Sequence, residues 1–328
     1  MWVSVQCAVQ GTSHIKNNIP CQDKTFFKNE NGTYAVSLAD GAGSCKLSHI
    51  GAEVVTHAIC DLFCSDFDAI FNNDSGPKVK ADLMELILNK LTETGKANNC
   101  DIKDLSSTLL FVAVKDDNFI LGHIGDGVVG YLKNNEMKIA SMPDNGEFSN
   151  TTIFTTSQNA LASLKLFKGK VAAIDGFVLM SDGPEAVFYD KVKKTLASSL
   201  KKLFSFSKAL PVSVMEKKMS ELFNSIVKKH TNDDCSMIIF SNMTKNNGFK
   251  ALPFKDLCEI LNLSASTPKK VADKYTMIVD TLQCHNMTCK DLAKMVHVKP
   301  KYLEKSLNKL CDMGYLTCSD DGVYSVAE

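Results

Sequence analysis

Five short acidic segments carry the side chains best suited to chemistry in this chain: CQD at Asp23, ADGAGS at Asp40, IGDG at Asp126, MSDG at Asp182, and NDDCS at Asp233 and Asp234. Each lies at the close or the start of an apolar run. An Asp at the end of a strand, followed by Gly, sets a carboxylate at the sheet edge and lets the backbone turn close to a ligand. Any one of these segments alone reads better as an ordinary turn than as a ligand site, Asp-Gly being common in hairpins. Together they point further, because carboxylates converging from separate strands repel one another and need cations between them. Hard oxygen ligands of this kind suit magnesium or manganese rather than zinc.

The elements that must position these carboxylates can be read from periodicity. Apolar residues alternate over Trp2 to Val9 and Tyr34 to Leu38, and longer apolar runs mark strands at Leu109 to Val114, Phe119 to Ile124, Phe177 to Met180 and Met237 to Phe240. Helical spacing joins Leu47, Ile50, Val54, Ala58 and Leu62, then Leu83, Leu86, Ile87 and Leu91, and later Met215, Met219, Leu222, Phe223 and Ile226. Residues Asn29 to Gly32 predict a hairpin turn and Lys245 to Gly248 an interdomain linker with its boundary near Asn246. The expected division is a mixed α/β domain over 1–243 and a small domain over 250–328.

In the small domain a helix around Lys269 to Leu282 precedes a short helix capped by Thr288. A second helix, Lys299 to Met313, carries Leu303, Leu307 and Leu310 and ends at Gly314. Tyr315-Leu316 and Val323-Tyr324 then flank the turn Asp320-Asp321-Gly322. Helix, turn, helix and β-wing in that order resemble a winged helix.

Composition excludes several classes. The chain has 328 residues, 45% hydrophobic and 23% charged, enough for a full core. Lys plus Arg equals Asp plus Glu at 37 each, so net charge gives no general attraction to nucleic acid or anionic membrane. Every one of the 37 basic residues is a lysine, so no guanidinium is available for a bidentate grip on phosphate. No signal-peptide pattern or apolar run of membrane-spanning length is present, which predicts a cytoplasmic protein. The 12 cysteines are scattered and read as reduced thiols, and Cys284, His285, Cys289 and His297 depart from zinc spacing.

The order GTSH, CQD, ADGAGS, GDG, SDG, DDCS resembles the PP2C-type metal-dependent protein phosphatases, especially a compact bacterial group that opens with G-T-S-H. The resemblance covers nearly all of residues 1–243. It implies an α+β, four-layer αββα sandwich with the metal centre at one end, followed here by the winged-helix-like domain. It implies two Mn2+ or Mg2+ ions and a weaker third site. By the same resemblance Asp40 bridges two ions, the Gly41 carbonyl binds one, Asp182 and Asp233 hold the other, and Asp126 with Asp182 matches the third site. Asp23 orients metal-bound water or acts as a ligand, and Asp233 is preferred to Asp234. Gln22 stands where many relatives have Glu, and Asn18 where many have a phosphate-binding arginine. His14 and Lys16 are the nearby substitutes: Lys16 as a point charge, His14 as a hydrogen-bond or proton donor. Against these stand a solvated surface lysine and a histidine that holds a turn. The segment Gly146 to Asn150 is similar to a mid-chain stretch of the bacterial group and is expected to form a flap over the substrate.

The expected activity is hydrolysis of phosphoserine and phosphothreonine in proteins by attack of a metal-bridging water. The substrate is then a phosphorylated protein, with a Ser/Thr kinase or its targets as partners. The alternatives are a pseudophosphatase that binds phosphoproteins, and a regulator that uses the winged helix for protein or DNA contact. Residues 250–328 hold eleven Lys against ten Asp plus Glu, a modest footprint for DNA despite Lys299, Lys301, Lys305 and Lys309.

Overall fold

The computed structural model describes residues 1–144, 152–245, 248–264 and 266–327. The expected flap, Gly146 to Asn150, and the expected linker centre at Asn246 lie outside the described residues. Packing divides the chain into two units, one of Trp2–Lys201 with Met219–Asn242, the other of Met1, Lys202–Lys218 and Met243–Glu328. The second unit thus draws Lys202–Lys218 from before the 243/250 division expected from sequence.

Among the described residues the first unit holds twelve strands: β1 Trp2–Val9, β2 Lys24–Glu30, β3 Thr33–Ala39, β4 Leu109–Lys115, β5 Asn118–Ile124, β6 Val128–Lys133, β7 Glu136–Ser141, β8 Lys165–Lys170, β9 Ile174–Met180, β10 Tyr189–Asp190, β11 Thr195–Leu196 and β12 Cys235–Asn242. Ten of them form two antiparallel five-stranded sheets, ordered β1-β12-β9-β6-β7 and β2-β3-β4-β5-β8, and β10 with β11 makes a separate ribbon. Its main helices are α1 Thr12–Asn17, α2 Ser48–Phe71 and α3 Gly76–Asn98.

Alternation along β3 shows how the layers form. Val36 and Leu38 enter the core between the sheets, with Leu110, Val112 and Leu121 of one sheet and Phe177, Leu179, Ile238 and Phe240 of the other. Ala35 and Ala39 face the opposite way, into a core with Val55, Ile59 and Phe63 of α2 and Leu83, Ile87 and Leu91 of α3. Phe63 lies on Phe111 with ring centroids 5.1 Å apart. Truncating so deeply buried a ring costs about 3 to 5 kcal/mol. Trp2 closes the inter-sheet core against Phe177, centroids 5.9 Å apart. Val5, Val178, Met180, Met237 and Ile239 of the other sheet are fully buried as well. Two packed antiparallel sheets flanked by helices are the fold class expected.

Register decides where the acidic segments fall. Lys24 pairs with Ala39, Leu38 with Leu110, and Leu109 with Ile124, so the residues before β2, after β3 and after β5 share one end of their sheet. Val128 and Met237 both pair with Met180, so the residues before β6, after β9 and before β12 share one end of the other. Asp126 sits in the short link from β5 to β6 and joins the two ends. All five expected metal aspartates therefore lie at one end of the sandwich.

The second unit contains helices Phe254–Ile260, Lys269–Cys284, Cys289–Met295 and Pro300–Asp312 and a small sheet of β13 Met287–Thr288, β14 Leu316–Cys318 and β15 Val323–Val326, ordered β13-β15-β14. Thr288 accepts a hydrogen bond from the Asp291 N–H and caps the short helix. Leu303, Leu307 and Leu310 are the buried stripe of the last helix, and Gly314, at φ 74°, ends it. Lys202 Nζ lies 2.6 Å from Glu259 Oε2 and 3.3 Å from Asp256 Oδ1, one tie between the Lys202–Lys218 segment and the rest of this unit. No described helix is long and apolar enough to cross a membrane.

Candidate metal centre

The site is assembled by close backbone approaches. A Cβ on Gly183 would lie 2.0 Å from the Asp234 carbonyl oxygen, and one on Gly11 would lie 2.3 Å from the Asp233 carbonyl carbon. Only glycine lets the Asp182 turn and the start of α1 press against the strand that follows Asp233 and Asp234. The G-T-S-H segment is then tied down: the Ser13 N–H donates to the Asn232 carbonyl at 3.0 Å, and the Ser13 hydroxyl to the same oxygen at 2.8 Å. Across the site, the Asp40 N–H donates to the Thr108 hydroxyl at 2.9 Å and the Thr108 N–H donates to the Asp40 carbonyl at 2.8 Å, holding the end of β3 to the start of β4.

Asp23 is buried. The Ser181 hydroxyl donates to its Oδ2 at 2.8 Å, while Oδ1 has no partner. Burial, with the fields of Asp234 and Asp182, pushes its carboxyl up to about 7 against the opposing effect of the Ser236 and Ser181 hydroxyls. Asp182 is pushed up to about 6, first by burial and then by Asp126 and Asp233. Asp40 is raised well above the usual range by burial and by Asp23, Asp182, Asp126 and Asp233. These mutual fields place the five carboxyls around one space. Asp126 accepts from the Thr152 hydroxyl at 2.5 Å. Gly41 is held by its N–H, which donates to the Gln22 carbonyl at 3.2 Å.

Asp233 and Asp234 have separate tasks. Asp234 is buried and accepts the Gly11 N–H at 2.6 Å on Oδ1 and the Gln22 N–H at 2.5 Å on Oδ2. His14 Nδ1 sits 2.9 Å from the same Oδ2, outside hydrogen-bond alignment. Asp234 therefore fastens α1 and the CQD segment together. Asp233 is solvent-exposed and acts on Asp40 and Asp182 through its charge. His14, expected near the leaving oxygen, is buried against Asp234, and Lys16 is exposed on α1.

The residues fit a cation. Among the described residues no three His, Cys, Asp or Glu side chains close into a finished ligand set. Yet two buried carboxylate oxygens, Asp23 Oδ1 and Asp182 Oδ1, make no hydrogen bond, and buried carboxyls that raise one another's pKa are a donor set that a hard cation neutralises. Cys235 is no rival nucleophile, since burial and the neighbouring aspartates push its thiol up to about 12.

The profile of the family described as Protein phosphatase 2C matches residues 10–224. The chain belongs to the protein phosphatase 2C family. It is a metal-dependent serine/threonine protein phosphatase, a class that works with manganese or magnesium on phosphorylated proteins. It is 25% identical over 216 residues to serine/threonine-protein phosphatase 3 of Escherichia coli K12, covering 60% of this chain and 84% of that one. Among solved structures it resembles the serine/threonine phosphatase Stp1 from Staphylococcus aureus, with a TM-score of 0.51 at 16% identity over 74% of this chain and 95% of that one. It also resembles the catalytic domain of PstP in complex with two manganese ions, with a TM-score of 0.50 at 16% identity over 73% of this chain and 97% of that one.

Sequence reasoning did not find Ser181, Thr108, Thr152 or His123. His123 is fully buried, with Nε2 2.8 Å from the Gly125 carbonyl and Nδ1 2.7 Å from the Ser141 hydroxyl, and it holds the turn that presents Asp126. Burial pushes its imidazole down to about 4, so it stays neutral. Nothing in the buried run around it distinguishes this histidine, since its role rests on contacts with Gly125 and Ser141.

Proposed function

We propose that Asp23, Asp40, Asp126, Asp182 and Asp233, with the Gly41 carbonyl, hold the metal ions of this phosphatase, and that a phosphoserine or phosphothreonine ester is hydrolysed in the space they enclose. The observation that carries this reading is the pair of buried oxygens without a hydrogen bond, Asp23 Oδ1 and Asp182 Oδ1, where burial and neighbouring carboxylates raise the carboxyls of Asp23, Asp40 and Asp182. When bound, the ions activate water and neutralise the phosphoryl oxygens. Asp40 presents its carboxylate from the end of β3, fixed there by Thr108. Ser181 orients Asp23 by donating to Oδ2 and leaves Oδ1 free for the centre. Asp234 keeps Gly11 and Gln22 in place, and through Gln22 the adjacent Asp23. His14 is in this reading a positioning residue acting on Asp234, and Lys16 contributes at most a charge in solution.

The test is manganese- or magnesium-dependent hydrolysis of a phosphothreonine peptide, stopped by EDTA and nearly abolished in Asp40→Asn. Metal-independent turnover, or full activity in that variant, contradicts the assignment. A protein that binds the peptide without turning it over is the pseudophosphatase of the second reading.

The partners are phosphoproteins and the Ser/Thr kinases that produce them. A cytosolic setting accords with twelve cysteines that are all free thiols. Residues 250–328 are read as a winged-helix-like domain, separable from the phosphatase domain of 1–243, that selects protein partners. A gel shift at moderate salt showing tight binding to duplex DNA would replace that role with DNA contact.

A further inference from the structure

The ribbon of β10 and β11 lies outside both sheets. Tyr189 and Leu196 at its base are buried and paired, and the tip, Lys191, Val192, Lys193 and Lys194, is exposed at all four positions. The tip is stiff, because Asp190 Oδ1 accepts both the Val192 N–H at 3.0 Å and the Lys193 N–H at 2.9 Å. Lys193 Nζ in turn lies 3.5 Å from Asp190 Oδ2. Val192 is 93% exposed, which no packing need of the ribbon explains.

The ribbon is anchored to the metal centre. The Glu185 N–H donates to the Asp182 carbonyl at 3.0 Å, so the two acidic residues share one turn. Glu185 is only 4% exposed, and its Oε1 has no partner. Lys191 reaches over it, with Nζ 2.7 Å from Glu185 Oε2, and lies within the fields of Asp182 and Asp126. The chain has 37 basic residues and none is an arginine, so positive charge at the rim of the acidic ring must come from lysines of this sort. A ring of aspartates repels acidic side chains next to the phosphorylated residue. Lysines on a rigid rim offset that repulsion and steer such a peptide inward.

We propose that the ribbon Tyr189–Leu196 is a substrate-reading finger, in which Lys191, Lys193 and Lys194 engage acidic side chains flanking the phosphorylated serine or threonine and Val192 rests on the peptide between them. The proposal rests on the phosphatase reading above. It makes Lys191 a specificity-determining residue, and Glu185 its positioning residue. Exposed lysine–carboxylate pairs are individually weak, so the three together confer about tenfold discrimination and lose it with added salt.

The test compares kcat/KM for two phosphothreonine peptides, one flanked by Asp and Glu, the other by Ser and Ala. The parent, Lys191→Gln, and the double variant Lys193→Glu with Lys194→Glu are assayed, the last leaving the Glu185–Lys191 pair intact. The parent is expected to favour the acidic peptide about tenfold at low salt. The double variant is expected to reverse the preference and Lys191→Gln to weaken it, in both cases through KM rather than kcat. No preference in the parent, or a preference kept by both variants, overturns the finger. An aryl phosphate assayed alongside separates the two readings: if the parent does not hydrolyse it with manganese, the phosphatase reading has failed. Fluorescence anisotropy of the same two peptides, labelled, then decides the finger by the same order of affinities.

Discussion

Asp23→Asn should make the metal-free protein more stable at neutral pH while removing its response to manganese. The unfolded carboxyl ionises near 3.8, and in the folded protein it holds its proton up to about 7. Between those values the folded state binds the extra proton, so raising the pH favours the unfolded state, and the penalty levels off above about 7. At 1.36 kcal/mol per pKa unit the full penalty is about 4 kcal/mol, a large share of a typical domain's stability. Asparagine keeps an acceptor for the Ser181 hydroxyl and carries no charge. The assay is urea unfolding in EDTA from pH 4 to 8, followed by the fluorescence of Trp2, the single tryptophan, which sits in the inter-sheet core. The stability of the variant minus that of the parent should climb by about 4 kcal/mol across this range and flatten above pH 7. Manganese at pH 8 should then stabilise the parent and not the variant. A difference that is flat with pH, or one that falls, refutes the buried-carboxyl argument.

Asp234→Asn should destabilise the fold by about 3 kcal/mol, because its carboxylate accepts two backbone N–H groups, whereas Asp233→Asn should leave stability nearly unchanged and weaken manganese binding at least about tenfold; calorimetric titration and urea unfolding of both variants check this. His123→Gln should flatten the acid limb of the stability curve. The parent imidazole stays neutral down to about 4 in the folded state, so its contribution is complete above 6.5 and about 3 kcal/mol is lost as the pH falls from there towards 4. A chain ended near Thr244 should still hydrolyse an aryl phosphate with manganese but melt earlier, since Lys202 loses Asp256 and Glu259; a folded, inactive product would contradict the separable domain.

Much of this was legible in the sequence because the central strands are apolar on both faces. Leu109–Lys115 and Cys235–Asn242 stand out for that reason, and the hairpin at Asn31-Gly32 is marked by residues that accept positive φ, 53° and 75°. The strands that escaped notice are mostly at sheet edges. Lys24–Glu30, Glu136–Ser141 and Lys165–Lys170 close the sheets, largely half-buried or exposed and each interrupted by lysine, and such strands carry little hydrophobic pattern. Within the site, the acidic segments announced themselves by Asp next to Gly, but the division of labour between Asp233 and Asp234 depends on which carboxylate meets the Gly11 and Gln22 N–H groups from more than 200 positions away. Ser181 and His123 were illegible for the same reason, as their roles rest on contacts made by the folded sandwich. The grouping of Lys202–Lys218 with the C-terminal unit follows from ion pairs and packing that no local pattern encodes.

The most direct test of the metal assignment is the anomalous difference density of a crystal soaked in manganese. Two peaks about 3.5 to 4 Å apart, with an Asp40 carboxylate oxygen on each and Asp182 and Asp233 on one of them, is the result expected. A single peak elsewhere, or none beside Asp40 at a manganese concentration that supports full turnover, would contradict the two-ion centre.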